Sequence, residues 1–240
     1  NPNKDLNFDC TKLEYIYKNI SNIKNKKNEL PLIGFCGGPL TTFCFMFRGD
    51  HSDKSFNQAI KFLYKYPKQS HKILNIITEA SELYVKEQIR HGIDCFQLFE
   101  TYCGLIPSDK YIKEILPYSQ RILNVTKNKV PSIFFPKNLG VGLKNLNKNI
   151  CDYVSIDWQI DINEARKILD KDIGIQGNID PRSLYSSTEN IKIELEKIKK
   201  FALKNDDFII NLGHGFLPDI NYKKAKFVVD WVKTTNWKKI

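Results

Sequence analysis

The sequence predicts an α/β protein of the TIM (β/α)8 barrel class, here with about six of the eight β/α units. Three observations predict it. Six short apolar runs rich in Ile, Val and Phe, at 31–37, 95–100, 131–137, 153–158, 173–178 and 208–215, each have the length of a buried parallel strand. Helix-like segments fill the gaps between most of these runs, and alternating β and α patterns imply a parallel sheet covered by helices. Residue types able to bind or react gather at the C-terminal ends of the runs: Glu100-Thr101, Asp157-Trp158, Gln176-Gly177-Asn178 and Gly213-His214-Gly215. A barrel builds its active site at those ends. The competing doubly wound sheet would carry a G-x-G-x-x-G phosphate loop, which is absent.

Taken in order, the chain opens with a helical stretch, "CTKLEYIYKNISNIKNKK", that has no strand before it. The eighteen residues from Leu30 to Phe47 then pass without a charge, roughly the length of a membrane span. Gly37, Gly38 and Pro39 interrupt them in the middle, so the stretch reads as a strand, a glycine turn and a helix rather than a span. The N–H groups of that turn suit an anion, although the Lys and Ser/Thr of a P-loop do not follow. Two helices come next, "QAIKFLYKYP" and "KILNIITEASELYVKEQIRHG", the second stopped by Gly92. After the second strand, Pro107 and Ser108 supply a turn and an N-cap for "PSDKYIKEILPYSQRILNVTK". "INEARKILD" follows the fourth strand, "STENIKIELEKIKKFALKN" the fifth, and "DINYKKAKFVVDWVK" closes the chain.

Composition narrows the function less than the motifs do. With 37 Lys and Arg against 27 Asp and Glu the net charge is +10, but no run of five or six basic residues occurs. The lysines therefore read as solvated surface, and no nucleic-acid partner is expected. The six cysteines (10, 36, 44, 95, 103 and 151) form no C-x-x-C and no zinc-finger spacing, and several lie in apolar runs. They read as reduced thiols. The first residue is Asn1, so the chain is expected to be a processed product or a piece of a longer one, with any targeting signal out of view.

Of the four histidines, His51, His71, His91 and His214, only the last stands at a strand end. Its glycine neighbours leave backbone room for a ligand, and its imidazole can donate to a carboxylate or shuttle a proton. Asp157 reads mainly as a loop anchor. Asn178 and Asp180, ahead of Pro181, read as turn builders. Thr101 and Tyr102 offer hydroxyls after the second strand. No H-E-x-x-H, G-x-S-x-G or kinase motif occurs. The residues alone point to a barrel enzyme with a histidine at its mouth and no metal.

Together, "PLIGFCGGPLT", "LFETYCG", "SIDWQIDINEARKIL", "IQGNIDPRSLY" and "NLGHGFLPD" resemble, in order and spacing, the uroporphyrinogen decarboxylase family of haem biosynthesis, from about Lys12 to the end. The resemblance implies a single (β/α)8 barrel domain over residues 1–240, its N-terminal part missing and its six strands being the third to the eighth. It implies a homodimeric carboxy-lyase that needs no cofactor. The substrate would be uroporphyrinogen III, whose four acetates lose CO2 to give coproporphyrinogen III. Relatives are cytoplasmic, or lie in plastids and the apicoplast where a transit peptide sends them.

Carried over motif by motif, His214 matches the family's substrate-contacting histidine, and Thr101 stands where the family usually has serine. Phe45 falls where relatives place a tyrosine beside the reacting substrate, so a hydroxyl is lost and packing against the macrocycle remains. The family's Arg-Gln-x-Gly-Arg segment and its pyrrole-binding aspartate do not occur in this chain, and the 240 residues alone are expected to be inactive and poorly stable. Three alternatives stand beside this reading, of which a basic nucleic-acid binder has only the net charge in its favour; the other two are closer. One is a catalytically silent porphyrin-binding or partner-completing protein. The other is a zinc-dependent methyltransferase of the same superfamily, which the lack of His or Cys in "IFFPKNLG" disfavours.

Overall fold

A computed structural model describes residues 9–26, 30–48 and 55–237, with the side chain of Cys10 left out; His51 lies outside the described residues. Among these residues six parallel strands form one sheet in sequential order: β1 (Ile33–Gly37), β2 (Cys95–Glu100), β3 (Ser132–Pro136), β4 (Tyr153–Ser155), β5 (Gly174–Ile179) and β6 (Phe208–Leu212). The strand ladder places Gly37 beside Phe99, Phe99 beside Phe135, Ser155 beside Gln176, and Asn178 beside Asn211.

Alternation along each strand divides the side chains between two faces. Cys36, Phe96, Leu98, Phe134, Val154, Ile156, Ile175 and Ile179 point toward the helices and join the main apolar core. Phe35, Gln97, Phe99, Ile133, Phe135, Ser155, Gln176 and Asn178 share the opposite, inner face. On that face the Gln176 amide donates to Ser155 Oγ at 3.0 Å and reaches Gln97 Oε1 at 3.5 Å. Strands β2 and β5 are three places apart, about 14 Å in a flat sheet. The contact between their glutamines therefore requires the sheet to be rolled into a barrel wall.

The helices are α1 (Glu14–Lys26), α2 (Pro39–Arg48), α3 (Asn57–Lys65) and α4 (Pro67–Arg90). Then come a short α5 (Ser108–Lys110), which runs through a π-helical turn into α6 (Leu116–Asn124), and α7 (Ile162–Ile168), α8 (Thr188–Ala202) and α9 (Tyr222–Thr234). Pro39 and Pro67 occupy first-turn positions, where a missing N–H costs nothing. Gly92 ends α4 with a φ of +99°, as its place after the helix suggests. Ser108 does not cap its helix. Pro107 holds the N-cap position without a side-chain hydrogen bond, and Ser108 is already the first helical residue. The caps of α7, α8 and α9 are local ones, from Asp161, Ser187 and Asn221.

Among the described residues no strand pairs with the outer edge of β1, and a side chain covers it. Phe35 turns its backbone N–H and C=O away from β2, and both are taken by Gln88 of α4, at 3.0 Å each. Gln88 is 2% exposed, and Gly34 makes room for it, since a Cβ there would lie 2.5 Å from Gln88 Oε1. Replacing Gln88 with leucine leaves two backbone groups unpaired. The expected result is a loss of about 1–3 kcal/mol and more light scattering on storage, from the uncovered edge. A variant as stable and as monodisperse as the parent would refute this account.

Candidate functional site

The strand ends build the site in two groups. The first surrounds the Gly37-Gly38-Pro39 turn, read from sequence as a possible anion cradle. The turn itself forms no such cradle: Gly38 N–H donates to Phe99 O, and the N–H groups that meet a carboxylate are those of Leu40 and Thr41, in the first turn of α2. Glu100, fully buried at the end of β2, accepts hydrogen bonds from Thr41 N at 2.7 Å, Thr41 Oγ1 at 2.6 Å and Leu40 N at 3.3 Å. Tyr111 and Ser119 add longer hydroxyl contacts, each at 3.4 Å. Burial raises the carboxyl's pKa, and the hydrogen bonds from Thr41 oppose that rise.

Thr101 follows Glu100 directly and opens the next turn, half-buried. Tyr102 comes after it, its N–H donated to Thr41 Oγ1 at 3.3 Å. Phe45 lies one turn further along α2 and is 47% exposed. Its ring meets Phe56 and Tyr102 edge-on, at 5.5 Å in each case, and the Arg48 guanidinium lies 5.7 Å from its centre. Phe56 itself is buried with a φ of +57°, a conformation rarely held by a bulky residue. Phe45 is thus a packed aromatic wall, and Thr101 and Phe45 are brought to the same corner through Tyr102.

The second group centres on His214. The inner-face phenylalanines form an edge-to-face row: Phe35 to Phe99 at 5.9 Å, Phe99 to Phe135 at 5.9 Å, and Phe135 to the His214 ring at 6.1 Å. Trp158 continues it, 6.2 Å from His214. The Lys137 ammonium lies 5.4 Å and the Arg182 guanidinium 5.3 Å from the centre of the Trp158 ring. The strand alternation could have flagged the phenylalanine row, but buried strand aromatics usually mean core. Lys137, one residue past β3, offered a weaker signal, and nothing local pointed to Arg182.

His214 is held in place by the backbone before it. Gly213 donates to Ile179 O at 2.7 Å, and a Cβ on Gly213 would lie 2.6 Å from Trp158 N. The space expected around this glycine pair belongs to Gly215 alone, where an added methyl would find nothing within 4 Å. Gly213 instead permits close backbone contact. Partial burial lowers the His214 pKa from its ordinary 6.5, the Lys137 charge lowers it further, and a Gly215 backbone hydrogen bond and Asp157 pull the other way. The neutral ring is favoured in the folded state. Its contribution to stability is whole above pH 6.5 and declines as pH falls below that value toward the lower folded pKa. Replacing Lys137 with methionine is expected to raise the His214 pKa, read by NMR titration of the ring protons; an unchanged or lower value would contradict the arrangement.

The remaining polar residues serve the scaffold. Asp157 is buried and accepts from Asn138 N at 2.7 Å and Gln159 N at 2.8 Å, the loop-anchoring role expected of it. The Asn178 amide holds Asp157 O and Ile160 O, at 3.0 and 2.7 Å. Asp180 caps the turn that starts at Pro181 and pairs with Arg182, whose hydrogen bonds lower its pKa. Burial pushes the thiols of Cys36 and Cys44 up to about 12, which keeps them protonated. Among the described residues no three His, Cys, Asp or Glu side chains converge as a cation site. No helix among them is long and apolar enough to cross a membrane.

Comparison with known proteins gives a consistent result. The family model described as uroporphyrinogen decarboxylase (URO-D) matches residues 1–235. A protein of Christiangramia forsetii named uroporphyrinogen decarboxylase is 36% identical over 222 residues, covering 92% of this chain and 64% of its own length. One of the same name from Wigglesworthia glossinidia brevipalpis is 34% identical over 236 residues, with 96% and 64% covered. The chain thus spans a little under two thirds of the length of these relatives. Among solved structures, a methyltransferase from Methanosarcina mazei superposes with a TM-score of 0.75 at 18% identity, covering 91% of this chain and 63% of that one. A B12-independent methionine synthase from Shewanella superposes at 0.65 and 13%, with 91% and 64% covered. At these identities the likeness is one of fold alone.

Proposed function

Because this chain belongs to the uroporphyrinogen decarboxylase family, we propose that its barrel removes CO2 from the four acetate side chains of uroporphyrinogen III, leaving methyl groups and coproporphyrinogen III. The observation that carries the proposal is the aromatic row from Phe35 to Trp158, with His214 set into it and Lys137 and Arg182 beside it. A tetrapyrrole offers large apolar faces and a rim of carboxylates, and this surface offers the complement of both.

The chemistry asks for no redox partner. A pyrrole carbon takes a proton, the acetate's C–CO2 bond breaks, and its electron pair flows into the cationic ring. The exocyclic methylene so formed is protonated to a methyl as the ring proton leaves. Each cycle consumes one proton and releases one CO2. Aromatic faces beside a cationic ring stabilise it. In this reading Lys137, Arg182 and His214 would hold carboxylates by charge-assisted hydrogen bonds, and Thr101 would supply a neutral donor. Phe45 keeps the packing part of its position's role and carries no proton.

The test is a fluorescence titration with uroporphyrin, the stable octacarboxylate macrocycle, against coproporphyrin, which has four carboxylates. A preference of about tenfold or more for the octacarboxylate is expected, equivalent to one or two charge-assisted hydrogen bonds. No binding, or equal binding of the two, would overturn the proposal. Turnover by the 240 residues alone is not expected, since the family's arginine segment and pyrrole-binding aspartate do not occur in them. Sustained acetate loss by this polypeptide would refute that part. A silent porphyrin binder is favoured by one residue, Phe45, and would bind with the same preference while gaining no activity when the absent segment is supplied. A homodimer in the cytoplasm or a plastid completes the proposal, and sedimentation equilibrium checks the first of these.

A further inference from the structure

We propose that Glu100 is a positioning residue, whose buried carboxylate sets the spacing between the Thr101-Tyr102 turn and the Phe45 face of α2; this inference rests on the function proposed above. The caps of α7, α8 and α9 come from the residue immediately before each helix. The cap of α2 comes from another strand, fifty-nine residues away in sequence at Thr41. The chain neighbours of Glu100 are Phe99, a member of the aromatic row, and Thr101. A displacement of Glu100 is therefore passed directly to both.

The connection between the two sides is short and continuous. Tyr102 N–H donates to Thr41 Oγ1, which donates in turn to Glu100 Oε1. Gly38 N–H donates to Phe99 O at 2.8 Å. Gly38 must lack a side chain, because a Cβ there would meet the Glu100 carboxylate at 2.6 Å. Tyr111 and Ser119 hold the second carboxylate oxygen from behind and are joined to each other at 3.1 Å. Phe45, four residues after Thr41, then closes on Tyr102. The carboxylate has donors on two sides and no freedom to shift without moving the turn.

If position rather than charge is what Glu100 contributes, reach should matter more than ionisation. Glutamine keeps the length and one carbonyl oxygen for Thr41. Aspartate keeps the charge and withdraws it by one methylene. The experiment is a uroporphyrin titration of the 240-residue protein and its Glu100→Gln, Glu100→Asp and Thr41→Val variants, each at a temperature where circular dichroism shows it folded. Glu100→Gln is expected to bind within about threefold of the parent, and Glu100→Asp to bind about tenfold more weakly. Thr41→Val, which keeps shape and removes the relay, is expected to bind about fivefold more weakly while its Tyr102 amide exchanges faster; it decides the matter if Glu100→Asp does not fold. Parent-like binding by Glu100→Asp with loss in Glu100→Gln would assign the role to charge and overturn the proposal. Parent-like binding by folded Glu100→Asp and Thr41→Val would reduce Glu100 to a helix cap and also overturn it. If the parent binds no uroporphyrin, the proposed function fails, and this inference fails with it.

Discussion

Gly213→Ala is expected to destabilise the protein by about 3 kcal/mol, with a fall in melting temperature of roughly 6–12 °C for a chain of this size. The reason is the identity of the atoms in the way. The added methyl would meet Trp158 N at 2.6 Å and Asp157 C at 3.0 Å, and neither is the end of a flexible side chain. The end of β6 would have to withdraw from the end of β4, loosening the Gly213 N–H bond to Ile179 O. Gly215→Ala is the control, two residues on with nothing within 4 Å, and should lie within about 0.5 kcal/mol of the parent. Urea denaturation of the pair measures both. Equal stability of the two variants would mean that the close approach at Gly213 is not what holds His214 in place.

His214→Ala is expected to weaken uroporphyrin binding by about tenfold to a hundredfold, the range for losing a hydrogen bond to a charged group, with a small change in stability because the residue lies at the exposed end of β6. His214→Asn should recover part of the loss by keeping a donor, although it cannot reproduce the ring contacts. Isothermal titration at pH 7.5, where the lowered pKa leaves the imidazole neutral, separates the two. Binding by His214→Ala indistinguishable from the parent would remove this residue from the site.

These two glycines and one histidine also mark how far the sequence could be read. The strands were legible because buried parallel strands are apolar along their whole length, and β2 and β3 are bounded by turn residues and prolines. The place of His214 at a strand end was legible because its flanking residues and the strand before it are local facts. The reason for Gly213 was not, since the obstacle is the backbone of Trp158, which no local pattern identifies. The same limit explains the Gly37-Gly38-Pro39 turn. Its own Gly38 N–H goes to Phe99 O rather than to an anion, and the N–H groups that do meet a carboxylate are those of Leu40 and Thr41 just after it, the carboxylate being Glu100 on a different strand. The phenylalanine row was hidden for another reason. Phe35, Phe99 and Phe135 look in sequence like the core residues Phe96 and Phe134, and only strand register separates the inner face from the helix face.

The Gln88 amide on the edge of β1 bears on how that edge meets another strand. Two hydrogen bonds from a tethered side chain form a reversible occupant, always present at high effective concentration. A chance encounter with another chain must displace it before any pairing begins, and a brief contact gains too little to do so. A strand that delivers a whole ladder exceeds two bonds and can take the position. Any strand pairing at this edge is therefore expected to have to replace both of the Gln88 bonds before it gains stability.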